Sequence, residues 1–185
     1  FSNLNAQSEK YVAKIKAYQK KYVKEHEVVL KKDKEYFRFF PVDEKYKVVA
    51  SFKKLEDTVG FIMKTSGTKN PRYFRYGTIE FKLNDTTLKL TLYQSQQLMT
   101  DSTYKDYLFL PFTDLTSGEE SYGGGRYLDP RLTEIKDGLI IIDFNKVYNP
   151  YCAYSTGYNC PIPPRENYIP VAIKAGEMDY AKPTH

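Results

Sequence analysis

The sequence predicts a mainly β fold with an N-terminal helix: a single antiparallel β-barrel-like or strongly curled sheet domain. Three observations predict it. Hydrophobic periodicity changes from three-and-four to two after Phe37, about seven short apolar runs follow without a long helix between them, and glycine-bearing turns separate those runs. An aromatic content of 16%, from 18 Tyr and 11 Phe, favours sheet faces over a helical bundle. A chain of 185 residues can bury one full core, and it divides into a lysine-rich helix with its connector, residues 1–34, and a β-domain, residues 35–185.

Asn5 or Ser8 is placed to cap a helix that continues through Tyr11, Val12, Ile15, Tyr18, Tyr22 and Val23. That spacing makes one apolar stripe, which needs a partner surface in the domain that follows. Residues 30–35 read as a charged connector, and residues 55–58 are too short and polar for a second helix. The first strand covers residues 45–52, alternating around Tyr46, Val48 and Ala50. Residues 60–63 form a second. Residues 73–83 and 87–93 make the clearest hairpin, joined at Asn84, Asp85 and Thr86. Residues 107–112, 139–144 and 168–173 add three more strands.

The net charge of +5 is local: residues 1–34 hold 9 Lys against 4 acidic residues, and the remainder balances. With no Arg, Trp or Phe in residues 5–30, the basic segment reads as a solvated helix face, so no nucleic-acid partner is expected. No run of 18 apolar residues is present, so no membrane span is expected. The chain starts at Phe1 without an initiating Met or a signal pattern, which fits a processed molecule and does not argue for the cytoplasm.

Three segments hold the candidate site residues. Gly123, Gly124 and Gly125 precede Arg126 and Tyr127. Consecutive glycines reach backbone angles denied to other residues and can expose N–H groups to an anion, and Arg126 offers a bidentate fork to a carboxylate or phosphate. The competing reading buries Arg126 against Asp129 or Asp143. The lack of GxxxxGK[ST] rejects a phosphate-binding P-loop. Next, Asp143 and Asn145 lie two apart at a strand end, and Asp143 or Glu166 is a candidate general base, with Glu177 as a further carboxylate.

The third segment runs from Cys152 to Asn167. Cys152 and Cys160, eight apart, are compatible with a disulfide, with reduced packed thiols or with a nucleophile, and are wrong for a CxxC redox or zinc pair. With only His26 and His185 as imidazoles, no metal and no cofactor is expected. Pro161, Pro163 and Pro164 stiffen the approach to Arg165, Glu166 and Asn167. The favoured function is a small polar or anionic ligand held by Arg126, Asn145, Arg165 and Asn167 between walls from Tyr127 and Tyr151. The alternatives are a hydrolase using Asp143 or Glu166, and a cell-envelope module binding a protein or glycan; whether the chain is an enzyme stays open, as does its oligomeric state.

Four literal runs carry a family resemblance: TSGEESYGGGRYL at residues 116–128, DFNKVYNPYCAY at 143–154, CPIPPREN at 160–167 and PVAIKAGE at 170–177, with YFRFFPVDEKYKVVASF upstream at 36–52. The chain resembles the DUF1684 family, a bacterial family of unknown function, over about residues 36–177. The resemblance implies that Arg126, Asp143, Asn145, Cys152, Cys160, Arg165, Asn167 and Glu177 form a shared constellation. It also implies an extracytoplasmic home, periplasmic or lipoprotein-anchored in the outer membrane through a lipid upstream. Longer members carry a further N-terminal β-rich region where this chain has its lysine-rich helix.

Overall fold

The structure, a computed structural model, describes the backbone of residues 2–183 and side chains from Ser8 onward. Helix α1 spans Ser2–Glu25, so Ser8 lies inside it rather than at its start. The Asn5 side chain and His185 lie outside the described residues. The apolar stripe finds the expected surface. Ile15 is 1% exposed, and polar contacts fix the helix register: the Tyr11 hydroxyl donates to Asp143 Oδ1 at 2.9 Å, and the Tyr22 hydroxyl to Glu177 Oε2 at 3.2 Å. Most of the stability of such a helix comes from packing its amphipathic face on the rest of the protein.

Among the described residues eight strands follow, one more than the periodicity predicts: β1 Lys47–Lys54, β2 Phe61–Ile62, β3 Arg72–Leu83, β4 Thr86–Ser95, β5 Leu110–Asp114, β6 Arg126–Leu128, β7 Leu139–Asp143 and β8 Tyr168–Ile169. A single turn of helix, α2 (Gln96–Met99), follows β4. The β3–β4 hairpin turns on Asn84 and Asp85, both at positive φ (48° and 62°), as a two-residue hairpin loop requires. Strand β6 escaped the sequence because three residues are too few to show a period of two.

The expected barrel or strongly curled sheet is not formed; the fold is mixed, with two open sheets. In the five-stranded sheet, β3 pairs with β4 along one edge and with β1 and β2 along the other, and β7 pairs with β1. The second sheet has the order β6-β5-β8. Closure requires a continuous ladder between sheets, whereas β4 reaches β5 only through the Tyr93–Phe109 bridge. The pairing is mainly antiparallel, as expected, and β8 alone among the described strands runs parallel to its neighbour, β5. Side chains do the joining instead: Asn167 accepts from Thr91 N at 2.8 Å and donates to Thr91 O and Pro111 O at 2.9 and 2.8 Å, linking β4 to β5.

Alternation sends Val48 and Ala50, Ile79, Phe81 and Leu83, Leu88, Leu90 and Leu92, and Ile140 and Ile142 to one face, where Leu110, Phe112 and Phe144 cover them. Val49 and Ile141 point the other way and are exposed. Among the described residues no helix is long and apolar enough to cross a membrane.

Candidate functional site

Arg126 is 0% exposed. Its Nη2 donates to Asp114 Oδ2 and Ile173 O, each at 2.8 Å, and its Nη1 to Ala175 O at 2.6 Å and Glu177 O at 3.1 Å. The guanidinium therefore ties β5 and β6 to the C-terminal segment. Its buried partner is Asp114, not the Asp129 or Asp143 that the sequence offers. Gly125 belongs to the same knot: at φ +87°, a Cβ there would stand 2.6 Å from Phe112 O and from Pro163 Cγ.

Arg165 is exposed, and neither arginine lines the cavity described below, so the two do not face one cleft. Asn145 donates through Nδ2 to Asp43 O at 2.9 Å, while its Oδ1 accepts from Asp43 N at 3.1 Å. Asp143 Oδ1 accepts from Tyr11 and from Asn145 N. Glu166 binds Arg75 Nε at 2.8 Å and accepts from the Tyr93 hydroxyl at 2.9 Å. Partial burial pushes the Glu166 carboxyl up, but Arg75 and Tyr93 outweigh it and hold the group below its ordinary range, away from a base poised at neutral pH.

Glu177 is more perturbed. It is 0% exposed, and accepts from the Tyr154 hydroxyl at 2.6 Å, Asn149 N at 2.9 Å and the Tyr22 hydroxyl. Burial pushes its pKa up to about 7 in spite of these donors. The adjoining Gly176 is at φ +73°, and a Cβ there would stand only 2.7 Å from Phe144 O.

Tyr127 and Tyr151 do come together, in a cavity of about 650 Å³ between the end of α1 and the loop of Cys152 and Cys160. The two cysteines are bonded, closing that loop. Cys160 and Pro161 form part of the wall, and the loop is held to the rest of the protein by Ser66 N donating to Cys160 O and Ile162 N to Lys64 O, at 3.0 and 2.8 Å. Reducing the bond should lower stability by somewhat under about 3 kcal/mol, since a short closed loop removes less unfolded-chain entropy than a long one. Urea unfolding with and without reductant measures it; an unchanged midpoint would show that the loop is held by its other contacts alone.

Tyr22, Tyr148 and Tyr158 complete the aromatic lining, with Glu25, Glu27 and Asn159 at the exposed rim. The hydroxyls of Tyr127 and Tyr148 are spent on Pro161 O and, at 2.5 Å, Asp129 Oδ2, so these residues offer the cavity their rings.

His26 is one of the residues of this site that sequence reasoning left out, with Tyr22, Glu25, Glu27 and Asn159. It is 7% exposed and packs edge-on against Tyr154 and Phe37, at centroid distances of 4.5 and 5.0 Å. Its Nδ1 accepts from Val29 N at 3.2 Å, which leaves the proton on Nε2, and that atom is buried without a partner. Burial, then Lys34, pushes its pKa down to about 4, so the ring is neutral at physiological pH. The available signal was spacing: His26 falls four residues after Tyr22, continuing the helix stripe.

The comparisons with known proteins agree on kinship and assign no activity. The family model described as "Protein of unknown function (DUF1684)" matches residues 32–178. Among solved structures, the solution NMR structure of an uncharacterized protein of Haloarcula marismortui is similar at 29% identity and a TM-score of 0.69, covering 94% of this chain and 97% of that one. That relative is archaeal, so the resemblance does not mark the chain as bacterial. No curated protein matches.

Proposed function

The chain belongs to the DUF1684 family, and we propose that it is a binding protein for a small uncharged molecule, seated in the tyrosine-lined cavity between α1 and the disulfide loop. One observation carries this reading: five tyrosine rings, those of Tyr22, Tyr127, Tyr148, Tyr151 and Tyr158, line one cavity of about 650 Å³. The volume lies within the range of small-molecule sites, and the lining combines aromatic surface with few polar groups, as such sites do. The lining has no Lys or Arg to hold an anion, which turns the reading away from the anionic ligand that the sequence favoured. The hydrolase alternative is less supported, because Asp143 and Glu166 are both engaged by protein donors and neither lines this cavity.

Ligand-observed NMR with uncharged cyclic fragments tests the proposal. Fragments that bind should bind about 10-fold more weakly to Tyr158→Ala, which removes one exposed aromatic wall of the cavity. Fragments that bind with equal affinity to both proteins would overturn it.

A further inference from the structure

We infer that the outer edge of β7, with the lysine-lined groove beside it, receives an acidic peptide segment of another protein in extended form. This surface is separate from the tyrosine-lined cavity and rests on different observations. β7 ends the five-stranded sheet, with β1 as its strand neighbour. Val49 stands opposite Ile141, and Phe52 N donates to Gly138 O at 2.7 Å. Antiparallel alternation from that bond turns the N–H and C=O of Ile140 and Ile142 toward β1, and those of Leu139, Ile141 and Asp143 away from it. Leu139 spends its pair on Lys136, at 2.8 and 2.9 Å. Among the described residues the Ile141 N–H and C=O make no hydrogen bond, so the edge stays open at its centre.

The groove along that edge has a volume of about 450 Å³ and runs between the first half of α1 and residues 133–136. Lysines reach it from four separate parts of the chain: Lys14 on α1, Lys47 on β1, Lys136 before β7 and Lys146 after it. None of the four has an ion-pair partner among the described residues. The two carboxylates of the groove are already engaged: Asp143 accepts from Tyr11 and Asn145 N, and Glu134 accepts from Arg131 N at 2.9 Å. The groove therefore presents positive charge around an apolar floor, where Ile141 is 56% exposed and Val49 beside it 62%. An extended acidic peptide answers each feature: its backbone pairs with Ile141, its carboxylates meet the lysines, and its apolar residues cover Ile141 and Val49. A small carboxylate or phosphate would leave the strand edge unpaired, and an apolar peptide would leave the lysines without partners. A second copy of this chain, setting β7 on β7 across a two-fold axis, would bring the same lysines against each other.

The test uses the full chain with its disulfide intact and an end-blocked heptapeptide of alternating glutamate and valine, titrated at low salt by NMR. Binding with a Kd of about 1 mM or tighter is expected. The Ile141 amide should exchange its hydrogen about 10-fold more slowly in the complex, while those of Ile140 and Ile142, which already face β1, change less. Lys47→Glu and Lys136→Glu, both at exposed positions, should each weaken binding by about 5-fold, and Lys89→Glu on β4 should leave it unchanged. The same peptide N-methylated at its central residues keeps its charge, lacks the edge donors, and should bind about 10-fold more weakly. Equal binding of the methylated peptide would overturn the inference, since charge attraction alone would then explain it. So would equal binding of an alternating lysine and valine peptide, or an acidic peptide that leaves Ile141 exchange unchanged. Ile141 protection in the peptide-free chain that grows with protein concentration would also overturn it, in favour of pairing between two copies.

Discussion

Asp114→Ala should cost about 3–5 kcal/mol of folding stability, because it strands the Arg126 guanidinium in a dry interior. Both side chains of that pair are 0% exposed. Asp114 also accepts from Thr116 N at 2.7 Å through its other oxygen, so one truncation removes the counter-charge and a turn contact together. Arg126→Lys should fail to substitute, since a single ammonium cannot span Asp114, Ile173 O and Ala175 O as the fork does. The measurement is the urea midpoint at unchanged slope. Glu120→Ala, which opens the exposed pair with Lys174, serves as the control and should stay within about 1 kcal/mol of the parent. Equal losses from Asp114→Ala and Glu120→Ala would show that Arg126 does not organise the C-terminal segment.

The second large effect is on pH. In the unfolded chain the Glu177 carboxyl loses its proton near 4.5, whereas in the fold burial holds the proton until about 7. Between those values the folded state binds one more proton, so this group's contribution is fully present below pH 4.5 and is lost as pH rises through 7. The loss is roughly 3 kcal/mol at about 1.4 kcal/mol per pKa unit. Tyr22, Tyr154 and Asn149 N face the carboxylate, and Arg126 lies behind it. His26 acts oppositely: its neutral form, favoured down to about 4, contributes above its ordinary 6.5 and is lost as pH falls. Comparing parent with Glu177→Gln at pH 5 and pH 8 isolates Glu177, since the other groups are shared. The variant should gain on the parent as pH rises, and parallel curves would refute a raised Glu177.

Where an interaction repeats along the chain, the sequence reveals it. The stripe from Tyr11 to Val23 announced a helix in need of a surface, and the turn at Asn84 and Asp85 announced its hairpin, because period and turn chemistry are local. Arg126, Asn145 and Asn167 stood out through the resemblance of their runs to a known family. Their side-chain partners, Asp114, Asp43 and Thr91 with Pro111, are from 12 to 102 residues away and show no spacing signal. Reading such residues as ligand contacts or as internal ties requires knowing what stands opposite them.

The sequence by itself determined the helix stripe, most strands and their inward faces, the location of the charge excess, and the family to which the chain belongs. Only the tertiary structure decided that the sheets remain open, that Arg126 faces inward, and that His26 meets Tyr127 and Tyr151 across a cavity. The physical reason is range. Backbone preference and alternation act over a few neighbours and are written in order along the chain. Sheet closure, burial of a charge and the sharing of a cavity depend on groups brought together from distant positions, where sequence separation no longer measures distance.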